Sequence, residues 1–363
     1  MGSRLDEPVP SLCGEWPSDG LEAAAGCPVC GSRQAVDELR ELADTTFGSA
    51  PGLWRLQRCA QCGCAYLNPR PSAATLGLAY GNYYTHATAA APTLAAPYAM
   101  FKRAVANSFR NRYFGAAMKP ALPGGWLFTS MMRQRARELR MDARGLDQQR
   151  GEGGRLLDVG CGNGKFLVFA RSAGWEGYGV EMDAAACEAA GALGVPVIGS
   201  DVAGLDASYE SFFDIITLSH VIEHVHDPVG MLVQCRALLK PGGVLWLETP
   251  NIDSVGYETF GRYWRGLEVP RHLVLFGVSS LRLAMERAAF SGLQFLAPRD
   301  VTGHMFRSSA VMREGRIAER GRPSLSLPGR LKLLASVRAA RSAVRRRPEK
   351  SEFLTAVAFR DHA

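Results

Sequence analysis

The chain has 363 residues, 47% hydrophobic and 21% charged, with a net charge of +7, which is ordinary for a globular protein. No apolar run reaches the roughly 18 residues that a membrane span needs, and the N-terminal MGSRLDEPVPSLCGEWPSDG lacks the pattern of a signal peptide, so the reading is cytoplasmic. The basic charge sits in the tail: residues 305–363 hold 14 Lys or Arg against 5 Asp or Glu, and the rest is slightly acidic.

Residues 1–24, rich in Pro, Gly, Ser and acid, read as a mobile leader. Residues 25–70 carry two C-x-x-C pairs, Cys27/Cys30 and Cys59/Cys62, each followed by glycine (Gly31, Gly63). Four thiolates at this spacing suit one tetrahedral Zn2+ in a small zinc-ribbon-like module, and a site closed by four cysteines is structural rather than catalytic. Cys64 reads as a small buried apolar residue. Residues 71–150 read as a helical linker region. Ser72 caps a short helix, Tyr80, Tyr83 and Tyr84 line a pocket or pack on the module, residues 87–97 form a linker, and 98–145 are helical with a break at 120–125.

The core spans 151–300. Arg155–Val159 is an apolar strand that runs into the turn Gly160-Cys161-Gly162-Asn163-Gly164, then a helix, then a second strand closed by Glu181. Glycines let backbone approach a nucleoside, and the acid accepts hydrogen bonds from ribose hydroxyls. The G-x-G-x-G spacing departs from the G-x-G-x-x-G of dinucleotide binders, and Asp158 is placed to meet a cation. That favours S-adenosylmethionine, which carries an ammonium and a sulfonium and no pyrophosphate. Met182 is placed against an adenine face. Asp183 caps the next helix, and Asp201 either reaches the adenine amino group or is a plain loop carboxylate.

Residues 212–220 form a fourth strand ending in Ser219-His220, followed by a helix at 229–239, a turn at 240–243 and a fifth strand. Alternating strands and helices imply a parallel doubly wound sheet, with ligands at the C-terminal strand ends. Residues 252–276 then cover that crevice. Tyr257, Tyr263, Trp264, Arg271 and Asn251 line a substrate pocket, or else the aromatics pack on the sheet. A helix capped by Ser279 or Ser280, a sixth strand at 293–298 and a last strand in 351–363 follow. Between them, 301–350 is an Arg-rich insertion. Leu333, Val337, Ala340 and Val344 repeat at helical spacing beside Arg338, Arg341 and Arg345. Such a helix packs its apolar stripe on the core or makes a weak peripheral membrane contact through 330–347.

The stretches CPVCGS, RCAQCG, YLNPRP, LLDVGCGNGKFL, VIEHVHDP, LLKPGGVLWLETPN and FGRYWRGLEVPRHLVLF, in this order, resemble the class I S-adenosylmethionine-dependent methyltransferases. More narrowly, they resemble a bacterial subgroup with an N-terminal four-cysteine zinc-binding module. The resemblance implies an α/β fold, a seven-strand doubly wound (Rossmann-like) sheet of order 3-2-1-4-5-7-6 with strand seven antiparallel. It implies cofactor contacts at Asp158, Gly160, Gly162, Glu181 and Met182, to which position alone adds Cys161, Gly164, Asp201 and Ser219. It points to acceptors in sugar or surface-polysaccharide pathways.

Methyl transfer to a hydroxyl is an in-line displacement that benefits from a base. His220, at the strand end, is the first candidate, followed by His272 and His224. The leading expectation is a methyltransferase acting on a sugar, nucleotide-sugar or polysaccharide hydroxyl. The alternative is a quinone- or lipid-type O-methyltransferase with a divalent ion at His220, Glu223 and His224. Methyltransferases of quinone biosynthesis place an acid and then Glu-His at this spacing, but here the first position is His220. A nucleic-acid base methyltransferase is disfavoured, because the fourth strand ends in SHVIEH and not in Asn-Pro-Pro-aromatic.

Overall fold

The computed structural model describes residues 14–80, 96–146, 153–297, 299–318 and 326–362. The expectations for residues 1–13, Tyr83, Tyr84 and most of the 87–97 linker lie outside the described residues. In chain order the strands and helices are β1 (Leu21–Glu22), β2 (Ala35–Leu42), β3 (Trp54–Cys59), β4 (Ala65–Leu67), β5 (Arg70–Pro71), α1 (Ala96–Phe114), α2 (Gly125–Met131) and α3 (Arg133–Asp142). Next come β6 (Arg155–Val159), α4 (Lys165–Ser172), β7 (Glu176–Val180), α5 (Ala184–Ala192), β8 (Val197–Gly199), β9 (Phe213–Ser219), α6 (Pro228–Leu238) and β10 (Leu239–Pro250). The last are α7 (Val255–Phe260), β11 (Val274–Leu275), α8 (Val278–Arg287), β12 (Ser291–Phe295), α9 (Thr302–Arg313), α10 (Leu327–Arg346) and β13 (Phe353–Phe359).

The central sheet has the order β12-β13-β10-β9-β6-β7-β8. Counted from β6 as the first strand, this is the expected 3-2-1-4-5-7-6 order, and β13 runs antiparallel to both neighbours. The middle strands are buried on both faces, as parallel strands between two helical layers must be. In β9, for example, Phe213, Ile215, Ile216, Thr217 and Leu218 are all buried. Local chemistry sets the helix starts. Asp183 accepts the Ala186 amide at 2.7 Å, and Asp227 accepts the Gly230 amide at 2.9 Å ahead of Pro228. The α8 cap differs from the reading: Gly277 is the cap, and Ser280 Oγ, inside the helix, accepts the Gly277 amide at 3.0 Å.

The second sheet, β11-β4-β3-β2, changes the picture of the covering segment. Its last strand, β11, belongs to that segment and pairs antiparallel with β4, with Val274 opposite Tyr66 and Leu275 opposite Ala65. The cover is therefore sewn into the cysteine-bearing module. Residues 14–24 also depart from the expected mobile leader. Trp16 is buried with its ring 5.1 Å from that of Trp54, and β1 pairs with β5.

One buried ion pair locks this arrangement. Arg271 is fully buried, with Nη2 donating to Asp44 Oδ1 at 2.6 Å and Nη1 donating to Asp44 Oδ2 at 3.1 Å and to the Ala79 carbonyl at 2.8 Å. Asp44 also accepts the amides of Phe47 and Ala50, both at 3.1 Å. Burial alone would raise the Asp44 carboxyl. The Arg271 charge and these hydrogen bonds outweigh it and hold the group below its ordinary value.

In the Arg-rich region, α10 turns Val337 and Ala340 inward and packs against α9 and α7, while Leu327, Leu331 and Leu334 face outward. No helix among the described residues is long and apolar enough to cross a membrane.

Replacing Arg271 by Ala strands a buried carboxylate, which costs about 3–5 kcal/mol. Denaturant unfolding of Arg271→Ala is expected to show a loss of that order. A loss under about 1 kcal/mol would mean that the pair does not hold the cover.

Candidate active site

The glycine turn between β6 and α4 lies at the C-terminal edge of the central sheet. Gly160 and Gly162 both have positive φ, +69° and +53°. A Cβ on Gly160 would lie 2.6 Å from Val221 Cγ2, so this glycine admits the loop after β9. A Cβ on Gly162 would meet nothing within 4 Å, so this backbone faces the open crevice. Glu181, at the end of β7, accepts the Gly162 amide at 2.8 Å and the Asp183 amide at 2.9 Å, which fixes its carboxylate at the rim. Beside it Met182 is 72% exposed, an apolar surface open to a ring. Asp201 is exposed and caps the turn 202–204. Ser219 is half-buried at the end of β9.

Gly164, Cys161 and Asp158 also make packing or hydrogen-bond contacts of their own. Gly164 packs two helices together, since a Cβ there would lie 3.0 Å from Val195 Cγ2 and 3.1 Å from Ala190 Cβ. The Cys161 thiol points inward onto Gly179. Asp158 is buried behind the turn, where Oδ1 accepts from Thr217 Oγ1 at 2.6 Å and from Arg144. Asp158 is thus tied to Arg144 through Oδ1, while Oδ2 stays buried without a hydrogen-bond partner. The open backbone at Gly162, the rim carboxylate of Glu181, exposed Met182 and the spare valence of Asp158 together fit a nucleoside with a cationic tail.

His220 follows β9 with φ +56°, a conformation that costs a residue with a side chain about 1–3 kcal/mol. Its amide donates to the Glu248 carbonyl at 2.9 Å. Its Nδ1 lies 3.2 Å from Glu223 Oε1 and its Nε2 3.5 Å from Glu248 Oε1. Burial opposes charge on this ring, but the two carboxylates prevail and push His220 up to about 10. At neutral pH it is an imidazolium with no lone pair to accept a proton. The expectation of His220 as the base is therefore corrected.

His224 and His272 are arranged differently. His224 Nδ1 lies 3.0 Å from the Arg271 carbonyl and 3.0 Å from Tyr80 Oη. His272 Nδ1 lies 2.8 Å from the Gly266 carbonyl. A carbonyl only accepts, so in both rings Nδ1 carries a hydrogen, and Nε2 is the ring atom not committed to that carbonyl. Burial pushes His272 down to about 4, so it is neutral, with only 5% of its surface exposed. Donor atoms of Glu223, His224 and His272 lie within 4.8 Å of one another. Two imidazoles and a carboxylate suit a divalent transition metal. His220 is outside this set, and His272 replaces it in the ligand group expected from sequence.

The covering segment supplies fewer substrate contacts than expected, because its polar groups are already engaged. Asn251 is fully buried and donates to the carbonyls of Glu349 and Ser351, both at 2.8 Å. Trp264 is fully buried and donates to Glu352 Oε2 at 2.8 Å. Arg271 clamps Asp44, and the Tyr257 hydroxyl donates to Glu38 at 2.7 Å. Tyr263 is half-buried. Sequence reasoning missed Arg144, Thr217 and Glu248, because each acts on a site residue from a distant segment.

In the module, Cys27 Sγ lies 3.5 Å from Cys62 Sγ, and Cys30 Sγ lies 3.5 Å from Cys59 Sγ. All four sulfurs fall within 4.8 Å of one another, too far apart for disulfides and able to hold a metal ion. The Gly31 and Gly63 amides close the two knuckles onto the carbonyls of Cys27 and Cys59 at 2.8 and 3.0 Å. Cys64 is fully buried and stands outside the four.

Residues 128–294, a little under half of the chain, match a family model described as a methyltransferase domain. A ubiquinone biosynthesis O-methyltransferase of Actinobacillus pleuropneumoniae (serotype 5b, strain L20) is 35% identical over 115 residues, covering 29% of this chain and 49% of that protein. One from Burkholderia thailandensis is 29% identical over 117 residues, covering 29% and 48%. The chain spans about half the length of the curated relatives it matches. Among solved structures, an S-adenosylmethionine-dependent methyltransferase of Archaeoglobus fulgidus aligns with TM-score 0.41 at 17% identity, covering 64% of this chain and 98% of that one. Phosphoethanolamine N-methyltransferase 2 of Haemonchus contortus aligns with TM-score 0.44 at 15% identity, covering 91% and 68%. The match to a methyltransferase-domain model and the strand order of the central sheet agree in fold.

Glu352 bounds the site, accepting from Trp264 Nε1 at 2.8 Å and from the Gly256 amide at 2.9 Å. Burial nevertheless pushes its carboxyl up from 4.5 to about 7. A raised carboxyl binds more protons folded than unfolded. Its stabilising contribution is therefore complete below pH 4.5 and is lost as pH rises through about 7. Unfolding measured at pH 5.5 and pH 8.5 (about one and a half units either side of that folded value) should show wild type losing stability relative to Glu352→Gln, on the order of 2 kcal/mol. Parallel pH profiles for the two proteins would contradict the shift.

Proposed function

We propose that the chain moves a methyl group from S-adenosylmethionine to a hydroxyl of a small-molecule acceptor, quinone-type or similar, by direct in-line displacement, with His224 as the base. The sulfonium supplies an activated methyl carbon, so the protein's task is alignment, exclusion of water and removal of one proton. Gly162 and Glu181 would hold the nucleoside, with Met182 against its ring and Asp201 at its edge. The observation that carries the base assignment is the Nδ1 contact between His224 and the Arg271 carbonyl, which leaves Nε2 free to accept a proton. The O-methyltransferase names of the relatives support a quinone-type hydroxyl better than the sugar, nucleotide-sugar or polysaccharide hydroxyl expected from sequence. The four cysteines would hold a structural Zn2+, since four thiolates leave no open position for chemistry.

A second reading uses the same ring differently. Glu223, His224 and His272 would hold a divalent ion that lowers the acceptor hydroxyl's pKa. The two readings part on a chelator: loss of transfer without loss of the four-cysteine metal favours the ion.

The test supplies purified protein with methyl-labelled S-adenosylmethionine and extract split into quinone and lipid, nucleotide-sugar, glycan and nucleic-acid fractions. Label is expected in the quinone and lipid fraction. His224→Gln should lower kcat by about 10²–10⁴ with cofactor affinity unchanged, and Gly162→Val should abolish cofactor binding. Label only in nuclease-sensitive material would overturn the proposal.

A further inference from the structure

A cavity of about 700 Å³ opens between α3, α10 and the segment leading into β13. Arg133 and Arg137 line it from α3, Arg341 and Arg345 from α10, and Arg299 lies at its inner end. Arg133 and Arg137 are four residues apart on one helix, and so are Arg341 and Arg345. Such like-charge pairs share a helix face and destabilise it. Here two of them confront each other across one space.

Counter-charges do not account for them. Asp300 pairs with Arg341 at 2.9 Å, Asp142 with Arg299 at 2.8 Å, and Glu138 with Arg135 at 2.9 Å. Among the described residues, Arg133, Arg137 and Arg345 have no carboxylate partner. The Nε of Arg299 is buried without a hydrogen-bond partner. The third lining carboxylate, Glu352, is taken by Trp264 and the Gly256 amide.

The inner end of the cavity abuts the crevice. Arg299 Nε lies 3.5 Å from Glu248 Oε1, and the same oxygen lies 3.5 Å from His220 Nε2. Phe353, next to Glu352, packs its ring on His220 at 4.6 Å between centroids. The Arg299–Glu248–His220 charges thus link the cavity to the strand ends where methyl transfer is proposed. The volume suits a small molecule, and guanidinium forks match phosphate oxygens in pairs.

We infer that this cavity binds a phosphate-type oxyanion carried by the acceptor, so that the substrate is an anionic small molecule. The identity of the ligand as acceptor rests on the proposed methyl transfer, whereas the oxyanion site does not. The inference also gives the Arg-rich insertion a use other than membrane contact, since Arg341 and Arg345 line this cavity.

The experiment titrates the full chain with inorganic pyrophosphate by calorimetry at constant ionic strength. Wild type should bind saturably, and Arg137→Gln/Arg345→Gln should bind about tenfold or more weakly. Arg338→Gln, on the exposed side of α10, should bind as wild type. All three proteins should melt alike and bind S-adenosylmethionine equally. Equal pyrophosphate affinity in the double variant, or equal loss in Arg338→Gln, would overturn the inference. So would binding of the wild type to phosphatidylglycerol vesicles that the double variant loses and pyrophosphate does not compete. Failure of S-adenosylmethionine to bind wild type would sink the methyl-transfer reading and leave saturable, variant-sensitive pyrophosphate binding as support for the oxyanion site.

Discussion

Arg271 joins two parts of the molecule that the chain order keeps far apart. Its guanidinium is tied to Asp44 and the Ala79 carbonyl in the N-terminal module, and its own carbonyl receives the His224 ring. Two residues on, the Leu273 amide donates to the Glu223 carbonyl at 2.8 Å, and the Leu273 carbonyl accepts the Leu67 amide at 3.0 Å. The cover is thus a bridge, bonded on one side to the strand of the cysteine module and on the other to the loop that carries the histidine. A buried charge is tolerated only when fully met, and here the carboxylate meets both guanidinium nitrogens and the backbone amides of Phe47 and Ala50. The four cysteines, by bracketing β2 and β3, give that bridge a rigid abutment.

The electrostatics at the strand ends divide the histidines by task. His220 sits between two buried carboxylates in a strained backbone conformation. Although burial opposes charge on Glu223, the contact with His220 holds that carboxyl well below the ordinary range. The triad of Glu223, His220 and Glu248 is a fixed ionic frame, further tied by Thr249 and Thr355, each 2.9 Å from its carboxylate. His224 and His272 stand beside that frame with their Nδ1 hydrogens committed to carbonyls. Under the proposed function, proton transfer or metal ligation falls to these two rings.

Much of this was legible in the sequence. The apolar runs that become β6, β7, β9 and β10 alternate with helical spacing, and Asp183 caps its helix as its position demands. The two C-x-x-C knuckles mark four sulfurs that do converge. What was not legible depends on pairings between distant segments. A polar or aromatic loop residue reads the same whether it faces a ligand or clamps a neighbour, so Asn251, Trp264 and Arg271 were misassigned. The charge of His220 depends on Glu248, which lies on the adjacent strand. A two-residue strand such as β11 has no periodicity to read, and the Arg-lined cavity exists only because α3 and α10 meet in space.

In this arrangement the cysteine module would set the position of His224 through the cover. Hydrogen–deuterium exchange before and after a chelator strips the metal proposed for the four cysteines is the decisive test. The account predicts that the amides of Arg271 and Leu273 exchange faster once the metal is gone, and that methyl transfer slows while S-adenosylmethionine affinity holds. If the module's own amides open while Arg271 and Leu273 stay protected, the module is an independent appendage and the claim fails.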